Sequence, residues 1–158
     1  MKWVKTFEDF QHSGELIGKG EQHEVFLDAM SKDRVVKMGP SVIEHAKVFK
    51  KFPKYCPVVY ETHVNKKNPL ENYIVIEKLD TDKAKKDIYS VYNQLSNFSD
   101  ELWHNKDIFN KELSSLKSQK DRDTFARMAE IILAIDMQDI HAENFGYDKN
   151  GKLKALDL

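Results

Sequence analysis

Met137-Gln138-Asp139-Ile140-His141-Ala142-Glu143-Asn144-Phe145-Gly146, followed by Asp157-Leu158, is the stretch on which the reading of this chain turns. It places a carboxylate, an amide five residues later, and a second carboxylate thirteen residues beyond that. The residue types fit one chemistry. A carboxylate can orient or deprotonate an attacking hydroxyl, while an Asn oxygen and a second Asp are hard oxygen ligands of the kind magnesium takes beside nucleotide phosphates. Asp-x-x-x-x-Asn alone is also an ordinary pair of loop residues making turn hydrogen bonds. Asp157, set after the β-like Leu153 to Leu156, makes coincidence a poor account and points to a phosphoryl-transfer site.

Composition sets wide bounds. At 158 residues the chain is long enough for one compact domain or two small lobes with a hydrophobic core. Hydrophobic residues make up 41% and charged residues 32%, which places it among ordinary globular chains. A net charge of −1 gives no global pull toward nucleic acid or membrane, so neither is expected as a partner. The lysines at Lys50-Lys51, Lys66-Lys67, Lys83 and Lys85-Lys86 are separated by acids and read as solvated faces. The single cysteine, Cys56, excludes an intramolecular disulfide and, among Val58, Val59 and Tyr60, reads as a packed small hydrophobe. That usage, with no bilayer-length apolar run and no signal-like segment after Met1-Lys2-Trp3, predicts a cytoplasmic protein. The histidines lack metal-ligand spacing, so zinc chemistry is not expected.

The first third reads as strands. Glu15 to Gly20 and Glu24 to Leu27 predict two strands joined by a glycine-bearing turn, and Arg34 to Met38 a third. Gly39-Pro40 breaks the strand, and Ser41 is placed to cap a helix over Val42 to Phe52, with Val42, Ala46 and Phe49 facing a core. Val58 to Val64 and Tyr73 to Glu77 predict two further strands around the turn Asn65 to Pro69. The remainder predicts helices over Asp82 to Leu95, Asp100 to Leu116 and Asp123 to Ile135. Two short strands come next, Phe145 to Tyr147 and Leu153 to Leu156, joined at Asp148-Lys149-Asn150-Gly151.

Five strands with one helix after the third, then helices, a catalytic-type loop and a hairpin ending in Asp, resemble the kinase-like superfamily. MQDIHAEN stands where HRDLKPEN stands in protein kinases, and LDL where the metal-binding Asp-Phe-Gly motif begins. The resemblance implies an α+β, bilobal fold. It has an N-lobe over residues 1–79, a five-stranded antiparallel sheet with one helix, and a reduced, mainly helical C-lobe over 80–158 ending at the metal Asp.

It also implies roles. Asp139 is the catalytic base, and Asn144 and Asp157 are the magnesium ligands. Lys37, in Val35-Val36-Lys37, matches the lysine that pairs the α- and β-phosphates of ATP; as a lone strand-end lysine it would face solvent. Glu44 on the following helix is its implied partner. Gly18 and Gly20 form the phosphate-covering loop, though glycines at this spacing alone signal only a tight hairpin. Ile17 and Val25 cover the adenine, and Glu77-Lys78-Leu79 supplies the backbone that meets its edge.

Three departures refine the resemblance. His23 occupies the third glycine position of the loop. His141 gives the D-x-H-x-x-N form, similar to aminoglycoside, choline and lipopolysaccharide-sugar kinases, which favours a non-protein acceptor. Gln138 replaces the arginine that senses activation-loop phosphate. The sequence also stops where a kinase begins its activation segment, so the acceptor site is expected to be completed by the helical insert, a partner chain or a second copy. The expected function is transfer of the γ-phosphoryl group of ATP, with Mg2+, to a hydroxyl acceptor. The alternatives are a catalytically inactive, nucleotide-binding scaffold (a pseudokinase) and a regulator acting through a protein partner.

Overall fold

The computed structural model describes residues 16–19, 23–28 and 30–158. Glu15 and Gly20 of the glycine turn lie outside the described residues. The chain divides into two compact units, Met1–Lys78 and Leu79–Leu158.

The first unit holds β1 (Leu16–Lys19), β2 (Glu24–Leu27), β3 (Arg34–Met38), α1 (Val42–Lys51), β4 (Val59–His63) and β5 (Tyr73–Glu77). The strands form one antiparallel sheet in the order β1-β2-β3-β5-β4. Strand alternation sorts its side chains onto two faces. Phe26, Val36, Met38, Tyr73 and Val75 form a buried cluster on one face. The opposite face carries Lys37 and Ile74, and α1 buries Val42, Ala46 and Phe49, an i, i+4, i+7 stripe.

Ser41 sits at the helix start but makes no side-chain capping bond, and its hydroxyl is buried without a partner among the described residues. Its backbone is already helical (φ −90°, ψ −7°), whereas a capping side chain ordinarily needs extended backbone to reach back to the next turn. Cys56 is fully buried, in keeping with its apolar neighbours.

The second unit is mainly helical: α2 (Thr81–Tyr92), α3 (Glu101–His104), α4 (Lys106–Ser115) and α5 (Gln119–Ile135), then the hairpin β6 (Phe145–Tyr147) and β7 (Leu153–Ala155). The helix expected over Asp100 to Leu116 is two helices. Asn105 adopts an extended backbone between them, and its side-chain oxygen accepts from the N–H groups of Asp107 and Ile108, ending one helix and capping the next. For the same reason α5 starts a turn before Asp123, because the Ser118 hydroxyl accepts from the Asp121 N–H.

The core of this unit centres on Phe125, fully buried between the rings of Trp103 (5.4 Å) and Phe109 (4.7 Å). Polar groups tie the elements together. The Tyr147 hydroxyl donates to Asp87 at 2.8 Å, joining β6 to α2, and Lys120 pairs with the same carboxylate at 2.9 Å. β6 runs hard against the start of the unit, since a Cβ placed on Gly146 would fall 2.5 Å from the Leu79 Cβ. Only glycine fits there. No helix among the described residues is long and apolar enough to cross a membrane.

Candidate functional site

In the first unit, strand register gathers three of the residues singled out from sequence. Gly18 pairs with Val25, Val25 with Lys37, and Lys37 with Ile74, one row across four strands. Paired residues in antiparallel strands point to the same side of the sheet. Gly18 keeps this row shallow at its β1 end, where a Cβ would lie 3.8 Å from that of Val25. Ile17 is about half exposed.

Lys37 is 2% exposed, against the ordinary expectation for a strand lysine. Burial of an ammonium demands polar partners. One is the imidazole of His45, whose Nδ1 lies 3.0 Å from the Lys37 Nζ, and the Phe49 ring centre lies 5.9 Å from the same nitrogen. The expected Lys37–Glu44 pair is not formed. Glu44 is 72% exposed and pairs with Lys47 at 2.8 Å. Helical phase is the reason: Val42, Ala46 and Phe49 set the inward face, position 45 falls between them, and position 44 turns to solvent with position 47. A histidine on the apolar stripe of the helix was the signal that could have identified this partner.

The Glu77-Lys78-Leu79 segment is largely engaged within the units themselves. The Glu77 N–H donates to the Val58 carbonyl at 2.9 Å, its carboxylate accepts from the Val58 N–H at 3.3 Å, and the Lys78 N–H donates to the Asp33 carbonyl at 2.9 Å. Leu79 is buried and opens the second unit, where it faces Gly146.

In the second unit, α5 ends at Asp136, whose left-handed backbone (φ 52°, ψ 52°) turns the chain into the loop. Met137 is buried and anchors the turn. Asp139 comes next but one, with its side chain 64% exposed, and the His141 ring lies 3.2 Å from its carboxylate. A 3₁₀ turn over Ala142–Asn144 then buries Asn144. Two hydrogen bonds organise the rest of the loop. The Asn144 side-chain NH2 donates to the Asp139 carbonyl at 2.8 Å, and the Leu156 N–H donates to the Asn144 carbonyl at 2.7 Å. The first fixes which end of the amide is committed to the loop: the nitrogen, with the side-chain oxygen left outside that bond. The second ties the residue before Asp157 to Asn144, although the two are far apart in sequence. Leu156 has a role that spacing alone did not reveal, because it acts through its backbone. The Asp157 carboxylate accepts from the Leu158 N–H at 3.0 Å.

The hairpin that carries Leu156 into place is itself pinned. Asp148 accepts from the N–H groups of Asn150 and Lys152, both at 2.9 Å, and pairs with buried Lys154 at 3.4 Å. Burial pushes the Asp148 carboxyl up, but these donors outweigh it and hold it below the ordinary aspartate value. On the other side of the loop, Lys85 of α2 pairs with Glu143 at 2.8 Å.

Among the described residues no three His, Cys, Asp or Glu side chains cluster as a metal cage. A mostly apolar cavity of about 230 Å³ in the second unit is lined by Trp103, Phe109 and Leu133, and by none of Asp139, Asn144 and Asp157.

No protein-family model matches the chain. No curated protein matches it. Among solved structures it is similar, at 16% identity and a TM-score of 0.34, to the streptomycin-ATP-APH(2")-IIa ternary complex, covering 99% of this chain and 74% of that one. A likeness that distant carries no weight for fold or chemistry.

Proposed function

We propose that the chain is a kinase-like phosphotransferase that moves the γ-phosphoryl group of ATP to a hydroxyl acceptor. The observation that carries the reading is the hydrogen-bonded link from the Asp139 carbonyl through the Asn144 side chain and backbone to Leu156, next to Asp157. It ties Asp139 and Asn144 to the residue that precedes Asp157, in a unit whose hairpin is braced from within. The buried Lys37 in its strand row with Gly18 and Val25 adds a cation of the kind phosphate recognition needs.

Each residue then has a task. Lys37 binds α- and β-phosphate oxygens. The Asn144 side-chain oxygen and the Asp157 carboxylate would hold Mg2+, which would supply charge neutralisation of the phosphates. Asp139 orients the acceptor hydroxyl and takes its proton as the oxygen bonds to the γ-phosphorus and ADP leaves. His141, in contact with Asp139, steadies that carboxylate. Positioning and charge account for most of the rate in this chemistry, so a small set of residues suffices. A second reading, a nucleotide-binding scaffold without turnover, is favoured by one observation: Lys37 meets an imidazole and not the carboxylate the family pattern implies.

Thermal unfolding with and without ATP and Mg2+, on wild type and Asp157→Asn, tests the reading. Wild type should gain stability with both present, about 2.7 kcal/mol at a hundredfold excess over Kd, and the variant markedly less. No shift in wild type overturns the reading. A shift with no ADP released under any hydroxyl acceptor favours the scaffold.

A further inference from the structure

We infer that His45 is the positioning residue for Lys37, a neutral imidazole that holds the ammonium in the place the family pattern gives to a carboxylate. The inference rests on the proposal that Lys37 binds nucleotide phosphate.

The chemistry of the contact fixes its polarity. An ammonium has donors and no acceptor, so at 3.0 Å the Lys37 Nζ donates and the His45 Nδ1 accepts. His45 is therefore the tautomer that carries its proton on Nε2. The contact lies in a confined place: Lys37 is 2% exposed and Phe49, one turn beyond His45, is 1% exposed. The His45 ring is held from two sides. Phe49 lies 6.1 Å away, tilted by 44°, and the His23 ring meets it edge-on at 6.0 Å and 74°. His23 thus has a use at the position where the phosphate loop departs from its glycine pattern: it packs on the residue that holds the lysine.

The carboxylate that the family pattern implies is engaged elsewhere. Glu44 faces away and pairs with Lys47. His45 acts without touching substrate or cofactor, by fixing where the Lys37 nitrogen points. Losing it should therefore cost recognition of phosphate and leave recognition of the nucleoside alone.

The test uses the full chain and calorimetric titration of ATP with Mg2+, and of adenosine, on wild type, His45→Leu and His45→Asn. Leucine keeps the bulk and removes the acceptor. Asparagine sets an acceptor oxygen where Nδ1 stands. His45→Leu should bind ATP about tenfold more weakly, the worth of one charge-assisted hydrogen bond, with adenosine affinity unchanged. His45→Asn should recover most of the loss. If His45→Leu fails to fold, His45→Asn against His45→Ala gives the same reading. ATP binding equal to wild type in the leucine variant overturns the role of His45 while the nucleotide reading stands. Equal losses for ATP and adenosine overturn it too, as a merely structural effect. No ATP binding by wild type overturns both.

Discussion

The two units hold their candidate residues by opposite means. In the first, Lys37 is set by packing: strand register fixes its row, an apolar helix face covers it, and a ring nitrogen meets its ammonium. In the second, Asp139, Asn144 and Asp157 are set by a loop whose own backbone does the work, through the Asn144–Asp139 and Leu156–Asn144 bonds. A side chain fixed by packing can exchange its partner for another of similar reach. A side chain bonded to backbone keeps its partner whatever residue supplies it, because every residue carries the carbonyl.

The sharpest way to break this contrast is to change loop chemistry without changing loop structure. Asp139→Asn alters an exposed carboxylate whose backbone carbonyl, and not its side chain, is what Asn144 binds. The melting temperature should hold, while acceptor-dependent ADP release falls by roughly 10²- to 10⁴-fold, the range for losing a general base. Turnover at wild-type rate would remove Asp139 from the mechanism.

A smaller effect should separate the units. Gly146→Val drives a branched side chain into Leu79, where even a Cβ would stand at 2.5 Å. Overpacking of this kind costs about 1–3 kcal/mol. In urea, with Trp3→Phe so that emission reports Trp103, the second unit should unfold earlier. Unaltered unfolding would mean that β6 can shift away from Leu79 at little cost.

The smallest and most gradual effect is acid loosening of the second unit. The Gln94 amide is the main group holding Asp121 low, helped by the Ser118 and Ser90 hydroxyls. Burial pushes Asp87 up, but the Lys120 ammonium and the Tyr147 hydroxyl outweigh it and hold it low, as the donors around Asp148 do there. All three carboxyls lie below their ordinary value of 3.8 when folded, so each stabilises the fold above that pH. That contribution is lost as pH falls through 3.8 toward the folded values. Trp103 emission should shift over that window; a flat profile would show that these hydrogen bonds contribute nothing net. The reverse end behaves differently: the Tyr147 hydroxyl, buried and donating to Asp87, is pushed up to about 12 and stays protonated through mildly alkaline pH.

Much of the fold was legible because strands and helices here obey local rules. Arg34 to Met38 is built on Val35-Val36 and Tyr73 to Glu77 on Ile74-Val75-Ile76, β-branched runs that favour strands, and both form with the expected bounds. The break at Asn105 escaped the reading because hydrophobic periodicity runs across it, and only the competing bond from its side chain to the next turn interrupts the helix. The loop residues could be named from spacing, since residue type and turn geometry are coupled there. The partner of Lys37 could not, because family pattern pointed to an acid while helical phase selected the next residue. Ser41 shows the same limit: residue type suggested a cap, and backbone shape denied it.

The buried state of Cys56 has a practical consequence. It is the chain's one thiol and it is fully covered within the sheet unit. An alkylating reagent can reach it only when that unit opens, so the rate of thiol capture in native buffer is a clock for those openings. Slowing of that clock by ATP would report, without any acceptor in hand, that nucleotide holds the sheet unit closed.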